Sequence, residues 1–70
     1  MLRLTRLFGV IVGIEDYGSI VSIVINKEGH EIPVHLDHRC FLNLLEAERC
    51  EPIQLIGRQA SFDGTTITLE

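Results

Sequence analysis

Apolar and polar residues alternate over three early stretches of the chain, and short polar segments separate these stretches. They run from Leu2 to Ile14, from Ser19 to Asn26 and from His30 to Leu36. Most of the apolar positions hold β-branched residues. Such residues at every second position are typical of β-strands. The polar segment 16–19 and the turn at Gly29 predict that the three strands are joined as hairpins.

The first predicted strand is apolar on both of its faces. One face carries Phe8, Val10, Val12 and Ile14. The other apolar side chains of the strand are Leu2, Leu4, Leu7 and Ile11. A chain of 70 residues has little material with which to cover two apolar faces. We therefore expect the second set to contact another protein subunit, and Gly9 and Gly13 to permit a bulge, a bend or a close backbone approach.

The pattern becomes helical after the third strand. Asp37 is suited to cap a helix from about His38 to Arg49, which Pro52 ends. The apolar stripe of this helix consists of Phe41, Leu44 and Leu45.

Two further strands follow the helix. The fourth is predicted within Ile53 to Phe62, and the last one ends at Leu69. The Asp63-Gly64 pair predicts a two-residue turn between them, in a register that places Ala60 opposite Ile67. We expect one buried face that carries Ala60, Phe62, Ile67 and Leu69.

The order of these elements predicts one all-β domain over residues 1–70. Three strands, a helix and two strands are the order of the OB-fold, a five-stranded and partly open barrel with its helix between strands three and four. We therefore predict a small five-stranded OB-like barrel, with an SH3-like barrel as the alternative that a three-turn helix disfavours. Pro33 cannot donate a backbone hydrogen bond, so it marks the third strand as an edge or the site of a bulge.

Composition limits the classes of partner. Ten acidic and six basic side chains give a formal net charge of −4, so the chain as a whole does not attract phosphate backbones. The hydrophobic content of 46% exceeds what one small core covers, which predicts association with a copy of the chain or with a larger protein partner. No apolar run reaches the roughly 20 residues of a membrane span, so we expect no membrane contact.

The two cysteines bear on the cellular compartment. If Cys40 and Cys50 lie on one helix, their ten-residue separation puts them roughly 15 Å apart at about 1.5 Å per residue, which exceeds the span of a disulfide. Free thiols favour a reducing compartment, and we expect a cytoplasmic protein.

Residues with catalytic or metal-binding chemistry do not form a recognised set. His35, His38 and Cys40 are close in sequence, but no second ligand pair accompanies them as in the usual zinc sites. Neither cysteine has an orienting third group, and no phosphate loop or nucleotide fingerprint occurs. We therefore expect no metal ion and no cofactor, and we expect that the protein is not an enzyme.

Several short motifs resemble those of one RNA-binding family. They are the Gly9 to Val21 segment, Gly29, the Val34-His35-Leu36-Asp37 segment and the closing stretch from Phe62 to Leu69. Together they cover most of the chain, and they resemble the OB-fold RNA-binding repeat of the largest small-subunit ribosomal protein. That repeat carries a second aromatic residue where this chain has Ile20, and a serine where this chain has Asp37.

The resemblance implies that single-stranded RNA is the ligand and that its bases stack on Tyr17 and His35. We assign Lys27 and Arg39 to the phosphates. The predicted function is thus a small non-enzymatic module that binds single-stranded RNA. The alternative is an acidic protein-interaction or oligomerisation module that docks through the apolar first strand, with Leu2, Leu4, Leu7 and Ile11 at the interface.

Overall fold

The fold is one antiparallel sheet of five strands with a helix inserted between the third and fourth strands. A computed structural model describes residues 6–64 and 66–70. Its elements are β1 (Leu7–Asp16), β2 (Ile20–Lys27), β3 (His30–Asp37), α1 (His38–Glu48), a 3-10 turn (Pro52–Leu55), β4 (Gln59–Phe62) and β5 (Ile67–Leu69). The predicted order of strands and helix is confirmed. The beginning of the predicted first strand, including Leu2 and Leu4, lies outside the described residues.

The strands lie side by side in the order β3-β2-β1-β4-β5. β1 is the central strand and is shared, because it pairs with β4 over Leu7 to Val10 and with β2 over Val10 to Asp16. β3 and β5 are the two edges, and no ladder joins them within residues 6–64 and 66–70. The sheet is therefore open, and the predicted closure into a barrel is not found.

A β-bulge at Val12 decides which side chains of β1 enter the core. Ile11 pairs with Ile25 and Gly13 pairs with Val24, so Val12 is an extra residue without an opposite partner. Because of this shift, the predicted faces of β1 need correction. Ile11 is completely buried, so it is a core residue and not an interface residue.

The same correction applies to the neighbouring apolar positions of β1. Leu7 packs partly buried against the core, whereas Phe8 and Val12 are 51% and 41% exposed. The exposed apolar surface of the strand is thus carried by Phe8 and Val12, which belong to the set not assigned to the interface. Before the bulge the odd-numbered residues Leu7 and Ile11 face the core, whereas after it the even-numbered Ile14 does. The extra residue at Val12 shifts the alternation by one position.

The core lies between one face of the sheet and the helix. β2 supplies every second residue of its length to this core, and Leu55 of the 3-10 turn is also completely buried. The buried core residues are Ile11, Val21, Ile23, Ile25, Val34, Leu36, Phe41, Leu55, Ala60 and Ile67. Phe41 is the only helix residue in this buried set, and Leu44 and Leu45 pack beside it partly buried. No helix in the described part of the chain is long and apolar enough to cross a membrane.

The ends of α1 follow the predicted signals. The Asp37 side chain accepts a hydrogen bond of 3.0 Å from the backbone N–H of Cys40, as an N-cap does. The helix ends at Glu48, one residue earlier than predicted, because Arg49 adopts the left-handed conformation that closes a helix. The predicted fourth strand is shorter than expected, since residues 52–55 form the 3-10 turn and β4 starts at Gln59.

The closing hairpin keeps its predicted face but not its predicted register. Ala60 pairs with Leu69 and Phe62 pairs with Ile67, which is a shift of two residues from the predicted pairing. The connection therefore spans four residues, and the backbone N–H of Asp63 donates to the carbonyl of Thr66 at 3.3 Å. A shift of two positions preserves the side of the sheet on which each side chain lies.

Candidate binding face of the sheet

The sheet has a second face, which points away from the core and which we call the outer face. In β2, Ser22, Val24 and Asn26 alternate with the core residues and point to the opposite side of the sheet. The residues of β1 and β3 that pair with them belong to the same face. Its members with exposed or half-exposed side chains are Phe8, Val10, Val12, Glu15, Ile20, Val24, Asn26, Glu31, Pro33, His35, Asp37, Gln59 and Thr68.

A row of three residues crosses the outer face near one end of the sheet. Glu15 of β1 and His35 of β3 each lie directly opposite Ser22 of β2. Adjacent strands are about 4.8 Å apart, so Glu15 and His35 lie roughly 10 Å from each other. Ser22 is only 3% exposed although it belongs to the outer face, because the two larger side chains flank it. A carboxylate and an imidazole thus lie on either side of the buried Ser22.

Tyr17 lies at the same end, in the turn between β1 and β2. Its backbone N–H donates to the carbonyl of Ile20 at 2.8 Å, and Asp16 accepts the N–H of Gly18 at 2.8 Å. Gly18 has φ +97°, which suits the first central position of a type II′ turn. The turn thus presents the Tyr17 ring, which is 65% exposed.

The Tyr17 phenol is tied to the outer face by Glu15. Its O–H donates to the Glu15 carboxylate, and this hydrogen bond, together with the negative charge, raises the pKa of Tyr17. Ile20 lies opposite Tyr17 across the turn and is 44% exposed, so it occupies the position next to the ring. Tyr17, Ile20 and His35 therefore share one end of the outer face.

Arg39 lies close to this end because the helix starts there. The backbone N–H of His38 donates to the carbonyl of Ser19 at 3.0 Å, and His38 Nε2 lies 3.6 Å from Asp16 Oδ2. These contacts fix the first turn of α1, with its exposed Arg39, against the β1–β2 hairpin. The hydrogen bond from the Cys40 N–H is the main reason why the pKa of Asp37 lies below its ordinary value.

Lys27 does not lie with these residues. It ends β2 next to the pair formed by Asn26 and Val10, and Ile20 begins the same strand. The two ends of β2 are about 23 Å apart at roughly 3.3 Å per residue. The structure thus brings Tyr17, His35 and Arg39 to one end of the sheet and leaves Lys27 at the end where Phe8 lies.

Phe8 is a candidate residue that the sequence pattern did not reveal. It lies on the outer face of β1 opposite Ser61, and the ring is about half exposed while Ser61 is buried. Both faces of the strand are apolar, so the alternation held no signal for the side that Phe8 takes. Phe8, Tyr17 and His35 together give the outer face three exposed rings.

The charges on the outer face are acidic. Glu15 and Glu31 are exposed on it, and none of its described members is a lysine or an arginine. Arg58 is engaged elsewhere, since its guanidinium lies 3.2 Å from the Glu48 carboxylate. Of the basic residues that the structure describes, Lys27 and Arg39 lie at the two ends of this face, where a polyanionic ligand could reach them.

The residues considered as metal ligands do not converge. No group of three or more His, Cys, Asp or Glu side chains in the part that the structure describes has the arrangement of a metal site. Cys40 is exposed, Cys50 is half-buried, and both are free thiols.

Neither a protein-family model, nor a curated protein, nor a solved structure matches this chain. The interpretation of the outer face therefore depends on its geometry and chemistry.

Proposed function

We propose that the protein is a non-enzymatic module of OB-like topology that binds a short single-stranded RNA segment across the outer face of its sheet. The strand order β3-β2-β1-β4-β5, with a helix between β3 and β4 and an open gap between β3 and β5, supports an OB-like barrel that is incompletely closed. The observation that carries the functional proposal is the presence of three exposed rings on that face: Phe8, Tyr17 and His35.

Stacking is the interaction that these rings offer. Each base stacked on an aromatic side chain contributes about 1–3 kcal/mol, without sequence readout. Glu15, whose carboxylate accepts the hydrogen bond of the Tyr17 phenol, lies about 23 Å from Phe8 along β1 at roughly 3.3 Å per residue. That length suits the lower limit of OB-fold sites, about four nucleotides.

Electrostatics set the expected salt dependence. If Lys27 and Arg39 each neutralise one phosphate, a plot of the logarithm of the RNA-binding constant against the logarithm of the salt concentration should have a slope of about −1.4. Each neutralised phosphate of a single strand contributes about −0.7 to this slope. The carboxylates of Glu15 and Glu31 oppose phosphates on the face itself, so we expect modest affinity that is detectable at low salt.

Fluorescence anisotropy with a labelled single-stranded RNA of mixed sequence tests this proposal. Phe8→Ser and Tyr17→Ser should each weaken binding by about 5- to 150-fold, which is the loss of one stacked base. Leu42→Ser is the matched control, because Leu42 is also about half exposed but lies on the helix. The proposal is wrong if wild type shows no low-salt binding below about millimolar RNA, or if the three variants bind equally well.

A protein-interaction module is the second candidate, and a separate observation favours it. Ile53 is 76% exposed and Ile56 is 38% exposed, both at a distance in sequence from the outer face. Apolar side chains that are exposed to this extent and adjacent to each other are typical of docking surfaces.

A further inference from the structure

The exposed isoleucines line a groove of about 340 Å³ between the 3-10 turn and the start of α1. Phe41 of the helix, Ile14 of β1 and Pro52 of the 3-10 turn complete its apolar lining, and Asp16 lies at its border. Ile53 covers none of the core, so its methyl groups are available to a ligand.

The groove is held in place by hydrogen bonds on both sides of the isoleucines. The backbone N–H of Glu51 donates to the Gln54 side chain at 2.7 Å, which closes a capping box at the start of the turn. The backbone N–H of Gly57 donates to the carbonyl of Ile11 at 2.7 Å. A surface that is fixed before binding loses little conformational entropy when it is filled.

The charges at the border are negative. Asp16 lines the groove and Glu51 precedes Pro52, and both are exposed carboxylates. Of the basic side chains near the groove, His38 lies 3.6 Å from Asp16 and Arg58 is paired with Glu48. The complementary ligand has apolar side chains with cationic residues between them.

The chain contains a segment of this chemistry. Its first seven residues read Met-Leu-Arg-Leu-Thr-Arg-Leu and hold two of the six basic residues, Arg3 and Arg6. In an extended segment Leu2 and Leu4 share one side, which would match a groove lined by branched apolar residues. Leu2 and Leu4 are also residues of the interface that the sequence predicts.

The groove lies far along β1 from the residue at which this strand begins. Leu7 pairs with Phe62, whereas the groove residue Ile14 is seven positions further along β1. Those positions span about 23 Å at roughly 3.3 Å per residue. Five residues reach only about 17 Å even when fully extended, so a second copy is the better source of the segment.

We propose that residues 2–6 of a second copy of this chain dock in the groove of Ile14, Phe41, Ile53 and Ile56, with their arginines next to Asp16 and Glu51. This assembly is independent of RNA binding, because it uses none of the rings on the outer face. The protein would then associate through a segment of one copy and a groove of another.

Sedimentation equilibrium of the full chain measures this association. Wild type should exceed the monomer mass of 7.9 kDa at high protein concentration, and more so at low ionic strength. Ile53→Ser, and separately the double variant Arg3→Glu/Arg6→Glu, should weaken association by about tenfold or more, as expected for one buried isoleucine or for reversed charges. Leu42→Ser removes a comparable exposed side chain outside the groove and should associate like wild type.

Mixing the two weakened variants provides the decisive result. Ile53→Ser retains an intact segment and Arg3→Glu/Arg6→Glu retains an intact groove, so the mixture should form a complex that neither variant forms alone. A monomeric wild type, equal association of wild type and Ile53→Ser, or a mixture without a complex would each overturn the proposal. RNA anisotropy of Ile53→Ser should match wild type, which separates failure of this proposal from failure of the RNA proposal.

Discussion

At the residue scale, Gly9 shows how closely the strands approach at the centre of the sheet. A methyl group at this position would overlap the carbonyl oxygen of Asn26 and come within 2.5 Å of Ile25 Cγ2. The Asn26 carbonyl belongs to the backbone, so it cannot move aside as the end of a flexible side chain does. Gly9→Ala should therefore lower the free energy of unfolding by about 1–3 kcal/mol, as overpacking does. Urea unfolding followed by circular dichroism measures this change.

Gly13 is the matched control for this experiment, because it lies in the same strand. A methyl group there would meet Val24 at 3.7 and 3.8 Å, which are ordinary contacts. Gly13→Ala should stay within about 1 kcal/mol of wild type, since it also restricts the unfolded chain. Equal midpoints for the two variants would show that the approach at Gly9 is looser than the structure indicates.

At the element scale, the sequence sufficed for the number, type and order of the elements, but not for details that depend on tertiary pairing. Alternation identified β2 and β3 because their core faces are purely apolar, and Asp37 and Pro52 marked the limits of α1. Gly13 indicated a possible bulge in β1, and the register shift beside it confirms that prediction. The apolar pattern did not show which face of β1 enters the core, because both faces of this strand are apolar. The bulge explains why Ile14 does not share a face with Phe8, whereas the burial of Ile11 and the exposure of Phe8 depend on tertiary packing that the pattern does not show.

The cap of α1 makes the stability of this element depend on pH. The Asp37 carboxylate has a pKa below its ordinary value of 3.8 because the Cys40 N–H donates to it. A pKa that is lower in the folded state contributes stability above the unfolded pKa, and this contribution is lost as the pH falls through the folded value. Asp37→Asn keeps a capping side chain but cannot ionise.

The melting temperature of Asp37→Asn should therefore lie below that of wild type near neutral pH and converge with it in acid, at pH values below about 4. Thermal unfolding followed by circular dichroism at several pH values gives both curves. Other carboxylates titrate in both proteins, so only the difference between the curves reports on Asp37. Parallel curves across this range would contradict the role of the charged cap.

At the scale of the whole molecule, the open sheet leaves β3 as an edge of eight residues, and Pro33 lies in the middle of that edge. The Glu28-Gly29 turn has two residues with positive φ, so Lys27 and His30 form the first hydrogen-bonded pair. Such pairs alternate along an antiparallel ladder, which places Pro33 where a backbone N–H would point away from β2. Proline at this position removes a donor that another strand could use.

Replacing Pro33 with valine should restore that donor and increase association between sheet edges. We expect Pro33→Val to scatter more light than wild type at equal concentration, with little change in its circular dichroism spectrum. Gln59→Val is the control, because Gln59 is exposed on β4, which has neighbours on both sides, so the change adds apolar surface but no free edge donor. If both variants scatter equally, added hydrophobicity explains the effect. If only Pro33→Val associates, the missing N–H of Pro33 keeps the open edge of this sheet from pairing with a neighbour.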